Sequence, residues 1–318
     1  MSMFQGIWVA LITPFQQQEI DHEALRRLVA HLRRAKVHGL VALGSTGEAS
    51  SLDDAEQDAV LETVLDAAGG LPVITGLSGQ HVGQLHRRLQ ALNRLPLAGV
   101  LSSAPSYVRP SQPALIDHFT RLADASTAPL VLYDIPYRTG VTLSLETLLS
   151  LAAHEHIQAI KDCGGSLDKT QALLADGRLA VLVGEDNLIF HHLCLGSQGA
   201  ISAVANVLPE PLVAMHEALS HERLQEARQI HHQLMPSIHA LFAEPNPSVV
   251  KHALAEQGWC GDEVRPPMMA ASAPARAAWR AAAGQAQVQG RGVAPSIAAG
   301  GRHGPAITAR KSVKSACQ

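Results

Sequence analysis

Short apolar runs alternate with amphipathic stretches from the first residues to about residue 220, and the apolar runs are the more regular of the two. Those at 7–13, 39–43, 72–75, 98–102, 129–133, 157–161, 180–184 and 199–203 are near-continuous, as parallel strands buried on both faces should be. Between them the spacing predicts helices. In 22–36, Leu25, Leu28, Val29 and Leu32 share one face behind Asp21 as N-cap. Further helices are predicted at 51–65, 82–95, 113–123, 145–153, 167–174, 187–195 and 209–219. Strands alternating with helices of this length imply right-handed βαβ crossovers and a parallel sheet. Eight such units in about 220 residues favour an α/β fold of the closed (β/α)8 TIM-barrel kind over an open doubly wound sheet. The first βα loop also lacks the GxGxxG of a dinucleotide-binding sheet.

After the eighth unit the pattern changes. A helix is predicted at 222–242, then the segment EPNPSVVK, then a helix at 268–283. From 284 the chain is rich in Gly, Ala, Arg, Gln and Ser and poor in large apolar residues, which reads as a disordered tail. The expected organisation is a catalytic barrel over 1–221, a helical region over 222–283 and a tail over 284–318.

Composition narrows the function classes. The chain is 47% hydrophobic and 17% charged with a formal net charge of −3, which gives no electrostatic case for nucleic acid or an anionic membrane as partner. The N-terminal run lacks a basic flank and stops at Thr13-Pro14, too short to span a bilayer. The four cysteines form no CxxC, which argues against a disulfide framework or zinc knuckle and fits the cytoplasm. Seventeen histidines raise the question of a metal, yet His191-His192 and His231-His232 point to different helix faces and no HExxH occurs. Neither a metal nor a cofactor is expected.

In a (β/α)8 barrel the chemistry sits at the C-terminal strand ends. The second strand leads into Gly44-Ser45-Thr46-Gly47-Glu48, the fourth to Tyr107 and Arg109, and the fifth to Tyr133 with Arg138 just after. The sixth ends in Lys161, the seventh in Gly184-Glu185-Asp186 and the eighth in Ser202. A strand-end lysine can simply snorkel to solvent. Held in the barrel it must find a carboxylate or act as a neutral amine nucleophile. GSTGE can be a plain tight turn, or a cradle of backbone N–H groups for a small carboxylate. Arg138 can pair at the rim or grip a second carboxylate bidentately. Together these groups suggest a class I aldolase: an amine condenses with a ketone, loses water, and tautomerises to an enamine that attacks an aldehyde. A phenol close to the nitrogen can relay the protons as donor and acceptor if its pKa is lowered.

GSTGEAS, the YxRPSQ loop, YDIPYRTG, the IKD strand, GAISAVANV and LFAEPNPSVVK, in this order, resemble the dihydrodipicolinate synthase/N-acetylneuraminate lyase superfamily over residues 4 to about 283. The resemblance implies that Lys161 forms a Schiff base with pyruvate, and that Tyr133, Ser45 and Tyr107 make a proton relay. By the same resemblance Tyr107 reaches into a neighbouring subunit's site, and the assembly is a homotetramer, a dimer of dimers. Thr46, Gly184 and Ile201 would line the pyruvate pocket. Arg138 marks the synthase branch, in which the aldehyde is aspartate semialdehyde and the pathway is lysine biosynthesis.

Some residues depart from the family pattern. Ser45 stands for threonine, Asp134 for asparagine, Tyr137 for a small residue, and Ser106-Tyr107 for a tyrosine pair. Tyr137 and Asp134 keep open another pyruvate aldolase with a different aldehyde, and a non-catalytic keto-acid-binding paralogue is a third reading. Lysine-inhibited members carry a histidine, an acidic group and a tyrosine among the positions matching Asp54, Gln57, Gln80, Gln84 and Ser106. The residues here imply insensitivity to lysine.

Overall fold

The structure is a computed structural model and describes residues 3–290. The strands are β1 (Gly6–Ala10), β2 (Gly39–Ala42), β3 (Val73–Gly76), β4 (Gly99–Ser103), β5 (Leu130–Asp134), β6 (Ile157–Asp162), β7 (Ala180–Val183) and β8 (Gly199–Ser202). All pair in parallel with their sequence neighbours, and β1 pairs with both β2 and β8. The sheet is therefore a closed barrel, the (β/α)8 fold read from the alternation.

The crossovers are α1 (His22–Arg34), α2 (Asp54–Ala68), α3 (Val82–Leu92), α4 (Gln112–Ala125), α5 (Leu145–Leu151), α6 (Leu167–Asp176), α7 (Ile189–Cys194) and α8 (Pro209–Ser220). Asp21 caps α1 by accepting from the Ala24 amide at 2.9 Å, as its position in the sequence predicts. Helix α2 starts at Asp54 rather than 51, because Asp53 and Glu56 form a reciprocal capping box and Ala49–Ser51 winds as a separate 3-10 turn.

Two apolar layers result. One lies between the barrel and its helices. The other fills the barrel itself with Trp8, Val41, Ile74, Leu101, Val131, Leu182 and their neighbours. Trp8 is fully buried there, and a Cβ on Gly39 would sit 2.2 Å from its ring, so only glycine fits opposite. With its floor packed shut, the barrel is open for chemistry only at the top.

The C-terminal segments are α9 (Leu224–Leu241), α10 (Ser248–Glu256) and α11 (Ala273–Gly290). The periodicity predicted α9 within two residues at each end. It missed α10, whose flanking Pro245 and Pro247 read as a turn, and it missed the small hairpin of Phe15–Gln16 with Glu19–Ile20. The last helix begins at Ala273 instead of 268, because tertiary hydrogen bonds hold the preceding chain out of a helix. The Ser248 hydroxyl donates to the Met269 carbonyl at 2.7 Å, and the Ser272 amide to Glu244 at 3.0 Å. The helix runs on to Gly290, into the stretch expected to be tail. The rest of that stretch, 291–318, lies outside the described residues.

Candidate active site

Register brings the two central side chains together. Tyr133 on β5 and Lys161 on β6 are direct Cα partners. Because side chains alternate along a strand, both point into the barrel while Asp134 and Asp162 point away from it. The Lys161 Nζ lies 4.5 Å from the centroid of the Tyr133 ring, and Lys161 is buried. On the outer face, Asp162 accepts from the Thr170 hydroxyl at 2.6 Å. Asp134 pairs with Lys169 and accepts from the Leu143 amide at 3.0 Å. Asp134 thus belongs to a buried ion pair behind the barrel wall and does not line the cavity above Lys161.

Above Lys161 opens a cavity of about 390 Å3. Lys161, Tyr133, Ser45, Thr46, Arg138, Gly184 and Ile201 all line it. Gly184 is required by the lysine itself, since a Cβ there would lie 2.7 Å from Lys161 Cε and 2.3 Å from Cys163 Sγ. Tyr107 is not part of this cavity. It sits in the loop after β4 with left-handed backbone (φ 70°) and is 89% exposed.

The GSTGE loop is bracketed by two non-glycine residues in the left-handed region, Leu43 (φ 55°) and Glu48 (φ 53°). Such residues persist only where the surroundings over-determine them. Here the surroundings come from the far end of the chain. Lys251, fully buried, pairs with Glu48 at 2.5 Å, and the Arg265 amide donates to the same carboxylate at 2.9 Å. Burial lowers the Lys251 pKa and the Glu48 charge opposes that shift. Asn246 donates to the Thr46 hydroxyl at 2.8 Å, and Thr13 to the Gly47 carbonyl at 2.7 Å. Within the loop the amides of Gly47 and Glu48 bond to the carbonyls of Gly44 and Ser45, so the cradle narrows to Ser45–Thr46.

Burial raises the Tyr133 phenol well above its usual range, and the Ser45 hydrogen bond and the Arg138 charge offset this only in part. The phenol is a neutral group that can donate and accept together, and not an acidified one. Asp186, a buried carboxylate, is pushed up to about 6 by burial, against the hydrogen bonds it receives from the Ser202 hydroxyl and the amides of Val204 and Ala203. Arg138 stands on the short helix Pro136–Thr139 and forms no ion pair among the described residues. Beside it the Tyr137 hydroxyl donates to Glu185 at 3.2 Å. Among the described residues no group of three or more His, Cys, Asp or Glu side chains is placed to hold a metal ion. No helix among them is long and apolar enough to cross a membrane.

Glu185, Asp186, Cys163 and Asn246 belong to the site and were not assigned to it from sequence. The first two were visible as the end of β7. Cys163 follows Lys161 by two positions and so shares its face. Asn246 had no signal beyond its place in the EPNPSVVK segment, because its contact with Thr46 spans 200 positions.

Comparison with known proteins places this geometry. The model of the dihydrodipicolinate synthetase family matches residues 3–286. The 4-hydroxy-tetrahydrodipicolinate synthase of Methanospirillum hungatei is 38% identical over 277 residues, 85% of this chain and 95% of that protein. The crystal structure of dihydrodipicolinate synthase from Thermotoga maritima superposes with a TM-score of 0.87 at 30% identity, covering 90% of this chain and 100% of that one. The chloride-inhibited dihydrodipicolinate synthase from Acinetobacter baumannii, solved in complex with pyruvate, superposes with a TM-score of 0.86 at 31% identity over 89% of this chain and 99% of that one.

Proposed function

The chain belongs to the dihydrodipicolinate synthetase family, and on that premise we propose that it catalyses the 4-hydroxy-tetrahydrodipicolinate synthase reaction, a lyase-class condensation of pyruvate with L-aspartate-4-semialdehyde in the diaminopimelate route to lysine. The observation that carries the reading is the buried Lys161 amine 4.5 Å from the Tyr133 ring, in a cavity that also holds Thr46 and Arg138, which forms no ion pair among the described residues.

Lys161 Nζ attacks the keto carbon of pyruvate, whose carboxylate rests on Ser45–Thr46. The carbinolamine loses water to give the imine, and loss of a methyl proton gives the enamine. The enamine carbon then bonds to the aldehyde carbon of the second substrate, whose carboxylate Arg138 grips. The substrate's own amine attacks the imine carbon, the bond to Nζ breaks, and the product ring leaves with the lysine restored. Tyr133, neutral and hydrogen-bonded to Ser45, passes protons without ever needing to ionise. The charge of Asp186 favours the iminium at Lys161.

In this reading residues 1–221 are the catalytic barrel and 222–283 the helical region that completes it. The protein works in the cytoplasm without metal or cofactor, as a dimer of dimers in which the exposed Tyr107 joins the relay of a neighbouring subunit. Another pyruvate aldolase activity would rest on Tyr137 alone, because Asp134 faces away from the cavity.

The test is to incubate the protein with pyruvate, reduce with borohydride and weigh it. An adduct of one reduced pyruvate on Lys161 is expected, absent in Lys161→Ala; no adduct in the unaltered protein would end the reading. Coupled turnover with aspartate semialdehyde, against N-acetylmannosamine and glyceraldehyde, then identifies the aldehyde.

A further inference from the structure

Three carboxylates and one guanidinium line the outer cavity, and the carboxylates are not equivalent. That of Asp186 is turned inward onto the Ser202 hydroxyl and the amides of Ala203 and Val204. That of Glu244 accepts from Ser272, at 3.0 Å from its amide. Glu185, half-buried at the end of β7, accepts from the Tyr137 hydroxyl at 3.2 Å and from the Cys163 thiol. Both donors are neutral. Burial pushes the Cys163 thiol far up, so it keeps its proton and remains a donor. Neutral donors orient a carboxylate without cancelling its charge, and among the described residues Glu185 forms no ion pair.

Arg138 is in the same condition with the opposite sign. Its guanidinium carbon lies 5.9 Å from the Tyr137 ring centroid, while the hydroxyl of that ring reaches Glu185. The cavity mouth therefore presents one cation and one anion, neither in an ion pair among the described residues, with an aromatic ring between them. We propose that Glu185 is a specificity-determining residue that accepts the α-ammonium group of the aldehyde substrate while Arg138 holds its carboxylate. The pair selects an aldehyde that is also an α-amino acid over one that carries only the acid. Tyr137, the bulky departure from the family pattern, is then the strut that keeps Glu185 turned toward the mouth and adds a ring face beside the cation. This rests on the synthase reading, since the substrate there carries its amine beside the carboxylate, and that amine must close the ring.

The experiment compares two aldehydes on the pyruvate-saturated enzyme. L-Aspartate semialdehyde is followed by turnover, and succinate semialdehyde, which lacks the amine, by its competitive inhibition. Glu185→Gln keeps the shape and removes the charge. It should raise the KM for aspartate semialdehyde about 10- to 100-fold, as expected for loss of a charge-assisted contact, while the inhibition constant of succinate semialdehyde stays within about twofold. The pyruvate KM and the borohydride adduct should not move. Tyr137→Phe, which leaves the carboxylate but frees it, should shift the same ratio in the same direction by about threefold. Equal weakening toward both aldehydes, or no change toward either, overturns the proposal and leaves the synthase reading standing. Failure of the unaltered enzyme to convert aspartate semialdehyde, with its pyruvate adduct intact, overturns both.

Discussion

On one wall of the cavity Thr46, with Glu48 behind it, is tied to Asn246, Lys251 and Arg265, and both residues are 4% exposed; on the other, Tyr137 is 67% exposed and meets the rest of the mouth through one side-chain hydrogen bond of 3.2 Å. On the proposed reading the first wall faces the group that every reaction of this kind shares, a small keto acid on a lysine. The second faces the group that differs between them. On that reading rigidity is concentrated where the chemistry is constant, and the wall proposed to choose the aldehyde is built from exposed side chains on a four-residue helix, Pro136–Thr139. Side chains of that kind can be exchanged without disturbing the core, which is how one barrel can serve many aldehydes.

The comparison breaks most visibly at Lys251. Lys251→Met removes the amine from a fully buried pair and leaves the Glu48 carboxylate uncompensated, which should lower stability by about 3–5 kcal/mol. Urea unfolding would show this as a lower midpoint, and the pyruvate KM should rise with it. Adding Glu48→Gln should restore much of the stability. If the single variant unfolds like the unaltered protein, the first wall is not locked as described. On the opposite wall Arg138→Ala should do the reverse, raising the aldehyde KM about 10- to 100-fold with the pyruvate KM unchanged. Its unfolding midpoint should move by no more than about 0.5 kcal/mol of stability, as for an exposed residue.

These two walls also differ in how far they could be foreseen. The barrel was legible because strands buried on both faces leave continuous apolar runs, and Tyr133 and Lys161 could be paired because each ends its run. Arg138 was legible for the same reason, one short step beyond a strand. The lock on the GSTGE loop was not. Nothing in the local pattern links Glu48 to Lys251, and α10, which carries Lys251, is hidden behind two prolines. The left-handed backbone at Leu43 and Glu48 is likewise a tertiary imposition, because neither residue favours it. The neutral state of the Tyr133 phenol depends on its burial, which a sequence does not display.

A pH experiment sharpens the comparison from inside the first wall. Asp186 is held at about 6, so its charge beside Lys161 fades as pH falls through that value. The rate of pyruvate trapping by borohydride should drop along an acid limb centred near pH 6, and Asp186→Asn should lack that limb. Stability should move the other way. The folded pKa lies above the unfolded value of about 3.9, so the folded protein holds this proton more tightly between roughly pH 4 and 6. The contribution of this group to stability therefore declines as pH rises through that window, by about 3 kcal/mol in all. The smallest expected effect is none: lysine added to a turnover assay at sub-millimolar concentration should leave the rate unchanged, given Gln57, Gln80 and Ser106. There Gln57 spends its amide on the carbonyls of Ala49 and Leu52, and Gln80 reaches Ser106 at 3.3 Å.

The dependence of the GSTGE loop on Asn246, Lys251 and Arg265 has a consequence for the order in which the molecule is made. Chains are synthesised from the N-terminus, and the early part of a domain can begin to organise before the rest exists. All eight strands and Lys161 precede residue 203, so a growing chain could assemble the barrel and its amine long before Lys251 is added. Until then the turn keeps Thr13 and its own internal bonds but lacks the ties from Asn246, Lys251 and Arg265. On the proposed reading, the seat for the keto acid is thus completed late in synthesis, when residues some two hundred positions downstream of the second strand reach it.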